Sequence, residues 1–423
     1  MDQISSQTSP APFEQKCIYN QPGDPEKAGI IFPASNEFDW AWFPWTPEPV
    51  DVIIGFGTNA SWDVAIRHRT KTLILGDWQR EPLLGQEYLL RPFILLAKNR
   101  QEFLSFLSGI PVPQDAKASV DKKTVLVGDG GATSESLVPT WVYLGGEEQK
   151  LRRDKGGFRQ DMMKWKPGQS WKASNPSAPT QKQVEEFSTL YTRMDGFQQE
   201  ILSRVKADQR FDNLHLQYVT WYLQELRNYT LANVRREPNK PLVPTKQPDP
   251  DTFGPFRGKE MGDNGNLWLS FQNRYSPNKV LGTAKQMQKA VPEQTIWENI
   301  NKEDFSCLSS ETSFQSLKRL FENVQYVLGS MYDAQMYQAI KQRIGGSSYL
   351  IFGSNIVDVT TFVPEERTKN RESFLREAAQ YLATQDTPLR FQQTTNPQMS
   401  HGTEDFLISD KGAIQVLSSY PPK

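Results

Sequence analysis

Cysteine is nearly missing from this chain: Cys17 and Cys307 are the only two in 423 residues. Two thiols cannot staple a small secreted scaffold and match no zinc-ligand spacing, which points to a reducing compartment. Histidine is almost as scarce, with His68, His215 and His401. No zincin, nucleophile-elbow or P-loop motif accompanies them. Net charge is missing too. The 48 Lys and Arg against 49 Asp and Glu leave −1, so the chain as a whole is neither a polyanion seeker nor an acidic tail, and electrostatic targeting has to be local. Long apolar runs are absent: the best, YLLRPFILLA, is interrupted by Arg91 and Pro92 and is half the roughly 20 residues a spanning helix needs. The start, MDQISSQTSPAPFEQ, has no basic region leading into an apolar stretch, so no secretory signal is legible. These absences lead us to expect a soluble, cytoplasmic protein without a transmembrane segment. Its length suits one large α/β domain with an insertion, or two ordinary domains.

What is present is an alternation of strand and helix. Apolar runs and helical periodicity predict a strand over 51–55, a helix over about 59–68, a strand over 71–76 and a long helix over about 83–108. Much later come a helix over 311–322, a strand over 323–329, a helix over 333–344 and a strand over 348–354. Such alternation implies a parallel sheet with helices on its faces. The end differs: EDFLISDKGAIQVLSSY is two short apolar runs about an Asp-Lys-Gly turn, which reads as an antiparallel hairpin. In between, Pro-rich and polar stretches at 167–183 and 237–266 flank a helical hairpin. Its first helix carries Val184, Phe187, Leu190, Tyr191, Met194, Phe197, Ile201 and Val205 at three- and four-residue steps, and its second runs from Leu214 to about Val234. The expected division is a loose leader (1–28), the first half of a Rossmann-like domain (29–114), an insertion (115–300) and the second half (301–423). No internal repeat is detected.

The chemistry-bearing phrase is DVIIGFGTNASWDVAIRHRTKTLILGDW, residues 51–78. A strand-to-helix turn can accept an anion or a polar ligand tail only where backbone N–H groups face outward and no Cβ blocks the approach. Gly55 and Gly57, on either side of Phe56, provide that clearance. An acid ending the neighbouring strand lies beside such a turn and can accept hydrogen bonds from two ribose hydroxyls, the role that falls to Asp77. The plainer reading is a tight turn followed by a solvated or capping acid. Gly55-Phe56-Gly57-Thr58-Asn59-Ala60 also fits the permissive dinucleotide pattern, which keeps NAD as an alternative.

The phrase resembles motif I of the class I S-adenosylmethionine-dependent methyltransferase superfamily, and residues 313–358 resemble the third and fourth strand units of that fold. The layout is similar to the bacterial betaine-lipid 3-amino-3-carboxypropyl transferases and to related uncharacterised methyltransferase-like proteins, over 48–110 and 305–360. The resemblance implies a Rossmann-like methyltransferase sheet, mostly parallel with a C-terminal antiparallel hairpin, and a largely helical insertion. It implies S-adenosylmethionine as cofactor, held by Gly55, Phe56, Gly57, Asn59 and Asp77. Where the family has a Gly-Asp pair after its third strand, this chain has Gly329-Ser330 with Asp333 three residues on, and Ser330 and Asp333 fall to the cofactor set. Where the transferases carry an acid on the last strand, this chain has Asn355. Group transfer from a sulfonium needs mainly an in-line nucleophile and orienting groups, since the donor is already activated. Ser354 and Asn355, at the end of a buried strand beside the switch point, take that catalytic role; the alternative is capping of the loop before Asp358.

The histidines offer no base. His68, in IRHRTK, is expected on the exposed end of the first helix, His215 starts a helix of the insertion, and His401 lies in a polar loop that could serve as a lid. Trp40, Trp42 and Trp45, in FDWAWFPWTP, suit either an apolar cover over a small-molecule or lipid-like acceptor or a staple for the amino-terminal arm. Residues 150–172 hold eight basic residues against two acids, with Phe158, Trp165 and Trp171 between them. That composition suits single-stranded nucleic acid, an anionic surface or an acidic partner, or else a solvated loop. A non-catalytic binding or scaffolding module of the same fold is the alternative to an enzyme. The acceptor and the oligomeric state are not legible in the sequence.

Overall fold

A computed structural model describes residues 12–21, 48–56, 60–109, 195–234, 304, 306–308, 310–353, 364–394 and 403–420. The basic stretch 150–172, the aromatic arm 38–47, His401, and site candidates Gly57, Asn59, Ser354 and Asn355 lie outside them.

The order of elements is α1 (Pro12–Lys16), β1 (Cys17–Asn20), β2 (Val52–Phe56), α2 (Ala60–Arg67), β3 (Thr72–Asp77) and α3 (Arg80–Gly85). A π turn, Gln86–Leu90, leads into α4 (Arg91–Leu96), followed by α5 (Arg100–Ser108), α6 (195–207), α7 (Asn213–Val234) and α8 (Glu311–Glu322). Then come β4 (Gln325–Leu328), α9 (Ala334–Ile344), β5 (Tyr349–Phe352), α10 (Pro364–Leu382), β6 (Leu389–Thr394), β7 (Thr403–Ile408) and β8 (Ile414–Tyr420). The strands form one sheet in the order β1-β4-β3-β2-β5-β6-β7-β8. The first six are mutually parallel and the last three make an antiparallel meander. The expected α/β class, mostly parallel sheet and closing hairpin are therefore present.

Counted from β2, the parallel strands run third, second, first, fourth, fifth, so the order reverses between β2 and β5. That is the topological switch point at which open α/β sheets bind ligands, outside the carboxyl ends of the strands. Both faces are covered, which is why these strands read as unbroken apolar runs rather than alternating ones. Along β2, Ile53 turns to one core, with α2 to α8. Val52, Ile54 and Phe56 turn to the other, with α9 and α10. The helices of the insertion do not stand apart: Ile201, Val205, Tyr218, Val219 and Tyr222 are buried in the first core. Among the described residues no helix is long and apolar enough to cross a membrane.

Three local differences from the sequence reading have physical causes. The helix expected over about 83–108 is broken. Ala97 is extended, and Asn99 restarts the chain as an N-cap, its side chain accepting the Glu102 N–H at 2.8 Å. The string Asn99-Arg-Gln-Glu102 resembles a capping box, with the Glu102 carboxylate reaching back to accept the Lys98 N–H. The alternation also goes on past 354. On α10 the buried Phe374, Leu375, Ala378, Ala379 and Leu382 mark the helix face, and β6 follows. Finally, part of the stretch read as a loose leader is a helical turn and an edge strand. Phe13 is fully buried with its ring 5.2 Å from that of Tyr326, and Tyr19 packs over the backbone at Gly329.

The same N-terminal segment is held by a buried ion cluster. Glu87, fully buried in the π turn, receives Lys16 Nζ at 2.6 and 2.7 Å, the Tyr326 hydroxyl at 2.9 Å and Arg91 Nη1 at 3.4 Å. His215 Nε2 on α7 lies 3.4 Å from the same carboxylate, and its Nδ1 is 2.7 Å from Asp212. Burial by itself would raise the Glu87 carboxyl. The His215 ring and the Lys16 and Arg91 charges overcome that and hold it down to about 2. Burial in turn lowers the Lys16 ammonium, against the pull of Glu87. Removing one member of a buried cluster leaves the others charged and unpaired. We expect Glu87→Ala to cost about 3–5 kcal/mol in denaturant unfolding, and Tyr326→Phe, which removes one hydrogen bond to the charged group, about 1.5–3 kcal/mol. A depressed folded pKa gives stability that is complete above the ordinary carboxyl value of 4.5 and is lost as pH falls toward about 2. Wild-type stability should fall through that window more steeply than that of Glu87→Gln.

Candidate functional site

The carboxyl ends of β2, β3 and β4 form one continuous ledge. Phe56 pairs with Gly76, so Asp77 lies one residue beyond the end of β2. Gly55 sits between Leu75 and Phe352 in the sheet. A Cβ on Gly55 would meet Ser61 well inside 3.0 Å, so the first turn of α2 rests directly on β2. The requirement for glycine here is close helix–strand approach, one of the roles of glycines in such turns.

A second requirement for glycine recurs along the ledge. Gly76 is overlain by the Phe56 ring, Gly329 by Tyr19 and Gly353 by Phe391, each too close for a side chain at the glycine. These three strands end in matching strings, Leu75-Gly76-Asp77, Leu328-Gly329-Ser330 and Phe352-Gly353-Ser354. That repeat was available in the sequence but was not used. Its meaning depends on rings supplied by neighbouring strands.

Asp77 is half-buried. Its Oδ1 accepts the Gln79 N–H at 2.9 Å, and its carbonyl accepts the Gly329 N–H at 3.0 Å, which ties the ends of β3 and β4 together. Burial pushes its carboxyl up to about 7, although the Gln79 and Trp78 N–H groups pull the other way. Among the described residues no cation pairs with it. The carboxylate is held at a carboxyl edge with incomplete compensation, a state that added hydrogen-bond donors would relieve.

After β4, Ser330 is exposed. Its hydroxyl accepts the Tyr332 N–H at 3.2 Å, and its carbonyl accepts the Asp333 N–H at 2.9 Å. Asp333 caps α9, with Oδ1 accepting the Gln335 N–H at 2.9 Å and Oδ2 accepting the Tyr19 hydroxyl. Burial, and then Asp333, push the Tyr19 hydroxyl up to about 12. Both Asp333 oxygens thus serve to fix α9 and β1. Two aromatic rings border the ledge and escaped the sequence reading: Trp78, directly after Asp77, is 38% exposed, and Tyr332, three residues after Gly329, is 45% exposed. The Leu-Gly-Asp-Trp string placed Trp78 in plain view. Tyr332 carried no such signal.

The structure brings Gly55, Phe56, Asp77, Ser330 and Asp333 to this one edge. The described chain reaches Gly353, immediately before Ser354 and Asn355. His68 is a correction. Instead of standing at an exposed helix end it is fully buried, with Nδ1 2.6 Å from the Glu48 carbonyl, because the 48–50 segment crosses the end of α2. Burial pushes it down to about 4. His215 is likewise buried, in the Glu87 cluster. No protein-family model and no curated protein gives a match to this chain.

Two outcomes follow from this geometry. Gly76→Ala should cost about 1–3 kcal/mol in denaturant unfolding through overpacking against Phe56. Combined with Phe56→Leu, the loss should be smaller than the sum of the single effects, since the two residues share one contact. For His68, a lowered folded pKa gives stability that is complete above 6.5 and lost as pH falls toward about 4. Melting temperature should therefore drop through that window, and the drop should be shallower in His68→Gln.

Proposed function

We propose that the ledge formed by β2, β3 and β4 binds the adenosine part of S-adenosylmethionine on a Rossmann-like methyltransferase sheet. The chain then transfers a methyl or aminocarboxypropyl group to an acceptor. The observation that carries this reading is the setting of Asp77. It is a carboxylate beside the switch point without a cationic partner among the described residues, and an exposed ring follows each of the neighbouring strand ends, Trp78 directly after β3 and Tyr332 in the turn after β4. A ribose supplies two hydroxyl donors to such an acid, and a purine supplies a flat face to Trp78 or Tyr332. Bound there, S-adenosylmethionine supplies an electrophilic carbon on an activated sulfonium. Gly55 lets the first turn of α2 approach, Asp77 orients the ribose, and Ser354 and Asn355, which follow Gly353 directly, are assigned to orient the acceptor.

A second reading is favoured by Asp333. With both its oxygens engaged in holding α9 and β1, base recognition at that position rests on Ser330 and the aromatic rings alone. This suits a module that binds a nucleoside without catalysing transfer. In both readings the ledge takes a nucleoside, so binding tests the shared premise and turnover separates them.

Calorimetry with S-adenosylhomocysteine, S-adenosylmethionine, NAD and ATP provides the test. Ribose hydroxyls donate to the ionised Asp77, so binding favours the deprotonated acid. Affinity should be full above pH of about 7 and weaken as pH falls below it. Asp77→Asn should weaken S-adenosylhomocysteine binding by about 1.5–3 kcal/mol and remove the pH dependence. The same substitution should raise the melting temperature above pH 7, because an ionised half-buried acid opposes folding there. Trp78→Ala should weaken binding by about 0.5–1.5 kcal/mol. Equal affinity in wild type and Asp77→Asn would remove the acid from the site, and preference for NAD would replace the cofactor.

A further inference from the structure

Beyond the ledge, the same carboxyl edge of the sheet carries a buried polar trio. Gln393 and Glu404 face each other across β6 and β7, and the Gln393 amide nitrogen donates to Glu404 Oε2 at 2.9 Å. Arg371, on α10, donates to the same oxygen through Nη1 at 2.6 Å. Its guanidinium lies over the Phe406 ring, with Cζ 5.2 Å from the centroid. Gln393 is 1% exposed and Glu404 3%. Continuing the β5–β6 register sets Gln393 beside Gly353, directly before Ser354. Phe374, three residues along α10 from Arg371, meets the Tyr332 ring of the ledge at 5.9 Å. Phe374 thus joins the trio to the ledge.

Two atoms of the trio have no partner among the described residues. A carboxylate only accepts, so the amide atom that faces Glu404 must be the nitrogen. Gln393 Oε1 is then left buried with nothing donating to it, and Arg371 Nε is buried without an acceptor. With Nη1 taken by Glu404, the remaining fork of the guanidinium is Nε with Nη2, an edge that matches the two oxygens of a carboxylate. Buried polar atoms are rarely left without hydrogen bonds. A stranded donor and a stranded acceptor around one carboxylate call for a ligand that supplies both.

We propose that Arg371, Gln393 and Glu404 form the acceptor subsite, and that the acceptor is a small amino carboxylate. Its carboxylate lies across Arg371 Nε and Nη2, and its amino group donates to Gln393 Oε1. Charge explains why an amine is needed. Arg371 is already paired with Glu404, so a bare anion brings an unbalanced charge into a buried place, whereas an amino carboxylate carries its own cation. The assignment rests on the reading of the ledge as the donor site and names the class of acceptor for it. The ammonium gives one proton to water, and the amine then attacks the donor carbon. The C–N bond forms as the C–S bond breaks, and the electron pair of the broken bond stays on sulfur as a neutral thioether.

Calorimetry on the full chain, with S-adenosylhomocysteine present and absent, tests this using glycine, β-alanine and 4-aminobutyrate as probes up to about 10 mM. At least one probe should bind. Acetate and methylamine, which each carry half of the recognised pair, should bind at least about tenfold more weakly. Arg371→Lys keeps a charge beside Glu404 but loses the fork. It should weaken probe binding at least about tenfold, with S-adenosylhomocysteine affinity and melting temperature near wild type. Gln393→Met keeps the volume, removes the acceptor, and should bring probe affinity down to that of acetate. Binding of S-adenosylhomocysteine without binding of any probe would overturn the subsite and leave the ledge standing, the two atoms being satisfied by water alone. Probe affinity unchanged in both variants, or acetate and inorganic phosphate binding as tightly as the amino carboxylates, would overturn it as well. Probe binding by a chain that does not take S-adenosylhomocysteine would sink the donor reading and the acceptor role with it.

Discussion

One buried carboxylate, Glu87, holds the first face of the sheet together. Lys16 reaches it from α1, Arg91 from α4, His215 from α7 and Tyr326 from β4. A charge in that position has no water to solvate it, so it persists only while all its partners stay in place. Segments separated by about 300 residues of chain are therefore interdependent. The π turn at Gln86–Leu90 is the local expression of this, since π turns place an extra residue in a helix and are common where side chains have special work. Nothing in helix propensity calls for a π turn at that point; the cluster it serves does.

The carboxyl ledge depends on a different constraint, close approach between backbone and ring. Phe56, Tyr19 and Phe391 each lie across a glycine at the end of another strand. This brings apolar cover to the very ends of the strands and leaves Asp77 short of water. The raised carboxyl of Asp77 is the consequence. A site whose acid is uncomfortable in the free protein and relieved by hydroxyl donors has its affinity built in by packing, at some cost in stability. On the opposite core the ledge is steadied by Asp333, which joins α9 to β1 through Tyr19. The amino-terminal strand is thus part of the site's support.

Much of this was legible in the chain. The first strand, expected over 51–55 and found at Val52–Phe56, the acid after the next strand and the closing hairpin all followed from apolar runs, glycines and turn residues, which act locally. The break before α5 was written as Asn99-Arg-Gln-Glu102 and the helix α10 as a regular apolar spacing; both signals were available but were not used. The edge strand β1 was not written anywhere. Four residues of Cys-Ile-Tyr-Asn carry no periodicity, and they become a strand only because Phe13 finds a buried place against Tyr326 and the Tyr19 ring lies across Gly329. His68 was misplaced for the same reason: the sequence beside it is charged and polar, and its burial comes from the 48–50 segment crossing over it.

The sequence by itself determined what depends on neighbours a few residues apart: where most strands and helices lie, that both sheet faces are apolar, and that an acid ends the second strand of the parallel series. Tertiary structure decided what depends on residues far apart in the chain. It gave Asp77 its depleted surroundings, engaged both oxygens of Asp333, set Trp78 and Tyr332 beside the same ledge, and gathered Lys16, Arg91, His215 and Tyr326 around Glu87. The physical reason is the range of the forces involved. Backbone propensity and turn chemistry act over a few residues, whereas desolvation and charge pairing depend on whatever the completed fold brings within a few ångströms.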